Sequence, residues 1–473
     1  MSCRVLIAIT LMLGAGCTSP EAEDGTTERP NIILVMADDM GWGQTGYYDH
    51  PVLETPQLDA MAANGLRFDR FYAGASNCSP TRATVMTGRS NDRTGVFDHG
   101  FPLRLQERTI AQTLRDAGYR TAHFGKWHLN GLRGPGVPIL SADTHNPGAF
   151  GFETWLSVTN FFDVDPILSR QGEFEEFEGD SSEIVVGEAL QYLGARGEED
   201  APFFVVIWYG SPHDPFRALD GDKASFSDLE EASQNHYAEL AAMDRSLGAL
   251  RQGLRDLGVA ENTLLWFNSD NGGLPKVTPT SVGELRGFKN SMYEGGLRVP
   301  GVVEWPARIE SGRVTEYPAG TIDIFPTLVE VAEAPSSPLP GDGVSLTRLF
   351  DEDLGERERP MGFLHRGRAV VIDNDYKILK LDLEADEYEL YNLKQDPSES
   401  TDLTDSEPAV AERMQAALEA FSASVEASRQ GLDYPEGAVN PGQPERRFWM
   451  TDPAYEPYLE EWKERPEYAP RFE

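Results

Sequence analysis

The stretch NIILVMADD, residues 31–39, decides how the rest of the chain is read. After Asn31 it runs apolar to Ala37 with no polar alternation, the pattern of a short strand buried on both faces. Such a strand needs helices above and below its sheet, and the neighbouring segments supply them. TPQLDAMAANG (55–65) offers Thr55 as N-cap, Pro56 at the first helical position, apolar Leu58, Met61 and Ala62, and Gly65 as stop. The alternation continues with a helix over about 109–118, a strand at 119–124, a helix over 183–193, a strand at 203–209, a helix over 236–257 and a strand at 263–268. Strands alternating with helices predict an α/β fold with a large, mostly parallel sheet and helices on both faces.

The texture changes near residue 345. AVVIDNDYKILKL (369–381) and EYELYNL (387–393) read as hairpin strands, followed by an amphipathic helix near 407–426. These features predict a large unit over 31–345 and a small antiparallel-sheet subdomain over 346–430. Residues 431–473, rich in proline and aromatics, read as an extended arm across the body. The segment Gly131 to Gly179 is a long insertion with little helical or strand pattern, of the kind that shapes binding subsites. No internal repeat is present.

At the start, Arg4 followed by apolar Val5 to Leu13 and then Gly14-Ala15-Gly16-Cys17 has the build of an export signal over 1–16. It is too short to span a membrane. A cysteine directly after small residues is similar to a bacterial lipobox, which predicts lipidation at Cys17, a flexible tether over 17–30, and a periplasmic or cell-surface location. With Cys17 lipidated and Cys3 removed, Cys78 is the remaining thiol of the three cysteines. A lone thiol in an oxidising compartment points to chemistry at sulfur. With 41 Lys plus Arg against 78 Asp plus Glu the net charge is −37. Nucleic acid and anionic membrane surfaces are poor partners for such a charge, and an anionic substrate needs a local positive site.

In a doubly wound sheet, ligands bind beyond the carboxyl ends of the strands. Asp38 and Asp39, Lys126 and His128, His213, and Asp270 and Asn271 all come directly after predicted strands. Three carboxylates and an amide oxygen are hard donors suited to Ca²⁺ or Mg²⁺. Read singly, Asp38-Asp39 is also an N-cap pair and SDNGG a turn. In NCSPTRATVMTGR (77–89), Ser79 can cap and Pro80 can open a helix, placing Cys78 at its N-terminus, where a thiol's pKa is lowered.

These residues carry a family resemblance. CSPTRATVMTGR (78–89) resembles the C-x-P-x-R…T-G-R signature of the formylglycine-dependent sulfatases of the alkaline-phosphatase-like superfamily. ADDMGWG, GKWHL, SPHDP, SDNGG, RGFKNSMYEGGLRVP, TIDIFPTLVEVA and ELYNLKQDPSESTDL match further blocks in order, over roughly Asn31 to Ser428. The resemblance implies an alkaline-phosphatase-like α/β fold. It implies that a maturation enzyme oxidises Cys78 to formylglycine (3-oxoalanine), whose hydrated aldehyde is the nucleophile. Asp38, Asp39, Asp270 and Asn271, with the group at Cys78, would hold Ca²⁺. Arg82 and Lys126 would steady the formylglycine and the sulfate, Lys289 would bind sulfate, and His128 and His213 would handle protons.

The implied function is a sulfuric ester hydrolase acting on a sulfated carbohydrate. The rivals are an arylsulfatase, a phosphonate or phosphate-ester hydrolase of the same superfamily, and an inactive lipoprotein that binds sulfated glycan. Asn271 is the sulfatase choice where the phosphonate hydrolases are expected to carry histidine.

Overall fold

The computed structural model describes residues 29–196 and 201–472. The expected signal, Cys17 and most of the tether lie outside the described residues. A mixed eleven-stranded sheet runs through the large unit. Its centre is five parallel strands in the order Thr263–Ser269, Asn31–Ala37, Phe203–Trp208, Arg120–Lys126 and Thr154–Val158. Asn31–Ala37 is second in this row. Ile32, Leu34 and Met36 enter one core cluster and Ile33, Val35 and Ala37 the other, and none of the six is more than 3% exposed. The strand has no polar face because neither side meets water.

Beyond Thr263–Ser269 the sheet turns antiparallel through Arg298–Glu304 and Leu66–Tyr72. The sequence reading assigns no strand to RVPGVVE, whose Pro300 lacks a ladder donor. The register shift between Val299 and Gly301 accommodates it.

The helices Pro56–Asn64, Ile110–Asp116, Ser181–Gly194 and Glu231–Asp256 pack on this sheet. Thr109 forms a capping box with Gln112, and Asp180 accepts from the N–H groups of Ser182 and Glu183. The long helix begins five residues before the predicted 236, since its first turn is polar and carries no apolar period. No described helix is long and apolar enough to cross a membrane.

Gly131–Gly179 is more ordered than its pattern suggests. It contributes the parallel strand Thr154–Val158 and an antiparallel hairpin, Ile167–Arg170 with Glu173–Glu176, at the sheet edge. Five residues are too few to reveal a period, and an edge hairpin exposes its polar side chains.

The C-terminal unit is an antiparallel sheet of Met361–His365, Arg368–Asp373, Tyr376–Lys380 and Glu389–Asn392. Helix Pro408–Arg429 covers one face through Ala411, Met414, Leu418 and Val425. The other face packs on Tyr72, Met292 and Leu297 of the large unit.

Residues 447–471 are not an extended arm. After the two-residue strand Arg447–Phe448 come short turns at Trp449–Thr451, Glu456–Tyr458, Leu459–Trp462 and Ala469–Arg471. Trp449, Tyr455, Trp462 and Tyr468 are buried in one cluster with Leu132, Val137 and Ile167 of the insertion. Arg447–Phe448 pairs in parallel with Leu132–Arg133. Tyr455 Oη donates to Pro138 O at 3.0 Å and Tyr468 Oη to Gly136 O at 2.7 Å. The prolines forbid a long regular element, while the aromatic rings need cover from water, so the tail folds into turns against the insertion. Two segments without a pattern of their own thus form one core together.

Candidate active site

The ends of the Asn31–Ala37 and Thr263–Ser269 strands are tied to each other. Asp270 N–H donates to Ala37 O at 3.0 Å and Asp39 N–H donates to Asp270 Oδ1 at 3.1 Å. Asp39 stands at φ +71°, a left-handed conformation that costs a non-glycine residue roughly 1–2 kcal/mol and turns its carboxylate across the strand ends. The loop bearing Lys289 closes over this point. A Cβ on Gly272 would lie 1.9 Å from Gly295 O, so the approach requires glycine there. Lys289 N–H donates to Gly273 O at 2.9 Å and Asn290 N–H to Ser76 O at 2.8 Å. Lys289 is thereby tied both to the Asp270 loop and to the start of the Cys78 helix.

That helix, Cys78–Thr87, begins two residues earlier than expected. Asn77 occupies the N-cap position, and Ser79 does not cap. Instead Ser79 Oγ donates to His128 O at 2.7 Å and accepts from Gly100 N–H at 2.8 Å, so the serine holds the histidine loop beside the cysteine. The expected lowering of the Cys78 pKa is also reversed. Burial pushes the thiol up, against the pull of Lys126 and Lys289.

Asp38, Asp39 and Asp270 are wholly buried. Arg82 Nη2 lies 2.7 Å from Asp270 Oδ2 and 3.7 Å from Asp38 Oδ1, its guanidinium stacked 5.0 Å over Trp208. Lys126 Nζ donates to Asp38 Oδ2 at 2.5 Å. Lys289 Nζ sits 2.7 and 2.8 Å from the two oxygens of Asp39. Burial opposes the Lys289 charge, yet Asp39 and its neighbours hold this lysine above its ordinary pKa. Arg82 and Lys126 are therefore set among the carboxylates, while Lys289 spans carboxylate and cavity.

His213 Nε2 is 3.2 Å from Lys289 Nζ and 3.7 Å from Asp39 Oδ2, with its ring stacked on Phe161 at 4.4 Å. Its Nδ1 donates to Asp214 O at 2.6 Å, which leaves Nε2 as the acceptor facing Lys289. His128 also has positive φ, +55°, and among the described residues neither of its ring nitrogens has a hydrogen-bond partner. Burial, reinforced by Lys289 for His213 and by Lys126 for His128, holds both rings below the usual histidine pKa.

Cys78, His128, His213 and Lys289 line an open cavity of about 360 Å³. Its rim includes Arg133, Asn160, Phe161, Asn290, Phe448 and Arg471, none of which the strand-end reading identifies. Arg133 and Phe161 lie in the patternless insertion and Phe448 and Arg471 in the tail, so no local signal marks them.

Asp38, Asp39, Cys78 and His213 each offer a donor atom, all within 4.8 Å of one another. His213 joins this group beyond its expected proton role. Asp270 directs both oxygens to partners, Asp39 N–H and Arg82, and the Asn271 amide donates to Asp39 Oδ1 at 2.7 Å. Asp38 Oδ1 and Asn271 Oδ1 are buried without hydrogen-bond partners. Adjacent carboxylates and orphaned buried oxygens suit a hard divalent cation, which would satisfy them together.

Known proteins supply an independent comparison. The pattern that defines the Sulfatase family matches residues 30–334, and that of the N-sulphoglucosamine sulphohydrolase C-terminal region matches 283–424. N-acetylgalactosamine-6-sulfatase of Canis lupus familiaris is 32% identical over 383 residues, 73% of this chain and 70% of that one. Arylsulfatase A of Homo sapiens is 33% identical over 371 residues, 70% of this chain and 69% of that one. The crystal structure of Ps i-CgsB in complex with k-i-k-neocarrahexaose superposes with a TM-score of 0.76 at 24% identity, covering 86% of this chain and 97% of that one. That likeness speaks to the fold.

Proposed function

Because the chain belongs to the sulfatase family and is a sulfuric ester hydrolase, we propose that it removes sulfate from a sulfated carbohydrate, using Cys78 converted to formylglycine and a calcium ion. The observation that carries this reading is the convergence of Cys78 with Asp38, Asp39 and His213 within 4.8 Å, on a cavity that Lys289 also lines. The name of one relative, an N-acetylgalactosamine-6-sulfatase, favours a sulfated sugar.

A sulfate monoester resists attack because its negative charge repels a nucleophile and its alcohol leaves poorly. Calcium, held by Asp38, Asp39, Asp270 and Asn271 with the group at position 78, would draw charge from the sulfate oxygens. Formylglycine at position 78 supplies a hydrated aldehyde, one hydroxyl to attack sulfur and a second whose deprotonation releases the product. Lys289 reaches the cavity with a fixed positive charge and binds a sulfate oxygen. Arg82 and Lys126 balance the carboxylates from below and fix their orientation. His213 Nε2 takes a proton from Lys289, 3.2 Å away, and passes it to the leaving oxygen. His128, with unpartnered ring nitrogens beside Cys78, takes the proton of the second hydroxyl.

Maturation requires a formylglycine-generating enzyme, and export with lipidation at Cys17 would place the protein at the cell surface or in the periplasm. Mass spectrometry of the tryptic peptide containing Cys78, elemental metal analysis and a sulfate-release assay on N-acetylgalactosamine 6-sulfate and a panel of sulfated oligosaccharides test the reading together. An unmodified thiol in fully active enzyme would sink the mechanism. Partition of native protein into the aqueous phase of a detergent split would sink the anchor.

A further inference from the structure

The two matched family patterns end at residue 424, yet the cavity over Cys78 is not closed by residues before that point. Phe448 and Arg471, from the tail, line it together with Arg133 from the insertion. The Arg447–Phe448 pairing with Leu132–Arg133 sets Phe448 opposite Arg133, whose guanidinium stacks 4.0 Å over the Phe448 ring. Burial of Trp449, Trp462 and Tyr468 anchors the tail between Phe448 and Arg471, which lies three residues beyond Tyr468. Phe448 is 45% exposed, so its ring presents apolar surface at the cavity rim.

The arginines near this cavity divide into two kinds. Arg366 is 2.8 Å from Asp98 Oδ1, and Arg446 is 3.5 Å from Asp98 Oδ2 and 3.1 Å from His99 Nε2, so Asp98 answers their charge. Among the described residues neither Arg133 nor Arg471 has a carboxylate partner, and Arg133 Nε is buried with no hydrogen-bond acceptor. In a chain of net charge −37, two arginines without acidic partners on the rim of one cavity are a local exception. A guanidinium left so is a recognition element for a carboxylate or sulfate.

We propose that Arg133, Phe448 and Arg471 form a specificity site for a second anionic group carried by the sugar, close to the sulfate that is removed. This rests on the proposed sulfated-carbohydrate function. Phe448 offers an apolar face to the sugar ring, and the two guanidinium groups bind its second anion, either another sulfate on the same ring or the carboxylate of a neighbouring hexuronate. The substrate class is therefore a polyanionic glycan.

Calorimetric titration of the full chain with its thiol unconverted measures binding without turnover. The probes are N-acetylgalactosamine 6-sulfate, N-acetylgalactosamine 4,6-disulfate and a 6-sulfated disaccharide bearing a hexuronate. The wild type is expected to bind at least one dianionic probe about tenfold more tightly than the monosulfate, as one charge-assisted contact provides. Arg471→Ala and Arg133→Gln remove that advantage and leave monosulfate affinity within about twofold. The probe that gains identifies the source of the second anion. No advantage in the wild type, no measurable binding of either dianionic probe, or an equal loss on all three probes in Arg471→Ala overturns the proposal. Failure of the matured enzyme to release sulfate counts against the proposed function instead, and the binding contrast still decides this site.

Discussion

Among the described residues, two of the clusters of buried charge are built to opposite ends. At the strand ends, Asp38, Asp39 and Asp270 crowd together, Asp38 Oδ1 and Asn271 Oδ1 lack hydrogen-bond partners, and a cavity opens beside them. Near the C-terminal sheet, Lys377 Nζ sits 3.0 Å from Glu294 Oε1 and 2.9 Å from Glu399 Oε1, all three side chains wholly buried. Tyr72 Oη donates to Glu294 Oε2 at 3.0 Å and Glu294 N–H to Glu399 Oε2 at 2.6 Å. The second cluster pairs its charges within itself and joins the Arg298–Glu304 region to the small subdomain. The first leaves acceptors unfilled at a cavity, so its arrangement is completed only by something bound. Burial of charge alone therefore does not mark a site; incomplete partnering at an opening does.

The largest expected effect separates the clusters most sharply. Asp270→Asn removes one of the crowded carboxylates and should lower kcat/KM by about 10³-fold or more, as loss of charge stabilisation at a reacting centre does. The melting temperature should hold or rise, because like charges are relieved. Steady-state kinetics with scanning calorimetry checks both, and a large drop in stability with activity retained would erase the distinction.

His213→Ala sharpens the first cluster internally. A general acid contributes roughly 10²–10⁴-fold, and more when the leaving group is a poor one. Turnover of a sulfated sugar should fall within that range, while 4-nitrophenyl sulfate, whose phenolate leaves unaided, loses far less. Equal losses on both substrates would transfer the proton to Lys289, 3.2 Å away.

Lys377→Met tests the second cluster. It strands two buried carboxylates, which costs about 3–5 kcal/mol in unfolding free energy, with kcat per folded molecule unchanged. Urea unfolding measures the first and active-site titration the second. Loss of activity without loss of stability would show that the two clusters are not separable.

The smallest effect is a pH dependence. Burial raises the Glu399 pKa, Lys377 opposes this and Glu294 adds to it, leaving the carboxyl pushed up to about 7. The folded state then keeps a proton that the unfolded chain has released, so this group's contribution to stability declines as pH rises from about 4.5 to about 7. Glu399→Gln lacks that decline. Its melting temperature, compared with wild type across this range, should gain on the wild type as pH rises, and a constant gap would refute the assignment.

Much of the strand-end cluster is legible from local pattern. Strands 31–37, 203–208 and 263–269 are apolar runs, and the residues just after such runs in a doubly wound sheet gather at one edge. Lys289 and Glu294 show where legibility stops. They lie five residues apart in one block, RGFKNSMYEGGLRVP, and nothing in the string separates a cavity lysine from a core glutamate. Their partners do, Asp39 and His213 for one and Lys377 and Glu399 for the other. Ser79 is similar, since its position suits a cap but its hydroxyl is committed to His128 O.

Residue type and period by themselves determined the parallel core, the convergence of Asp38, Asp39, Lys126, His128, His213, Asp270 and Asn271 on one sheet edge, and the singular position of Cys78. These come from local rules: an apolar run must be covered, and the residue after a buried strand emerges at the sheet edge. Only the tertiary structure decided that Arg82 and Lys126 end on carboxylates, that the tail and the insertion share a core, and that Phe448 and Arg471 reach the cavity over Cys78. The tail's aromatic side chains cannot be covered by their own short turns, and the cover lies some three hundred residues away in the chain, at Leu132, Val137 and Ile167. Contacts of that separation leave no period in the sequence, because neither segment is regular until the other buries it.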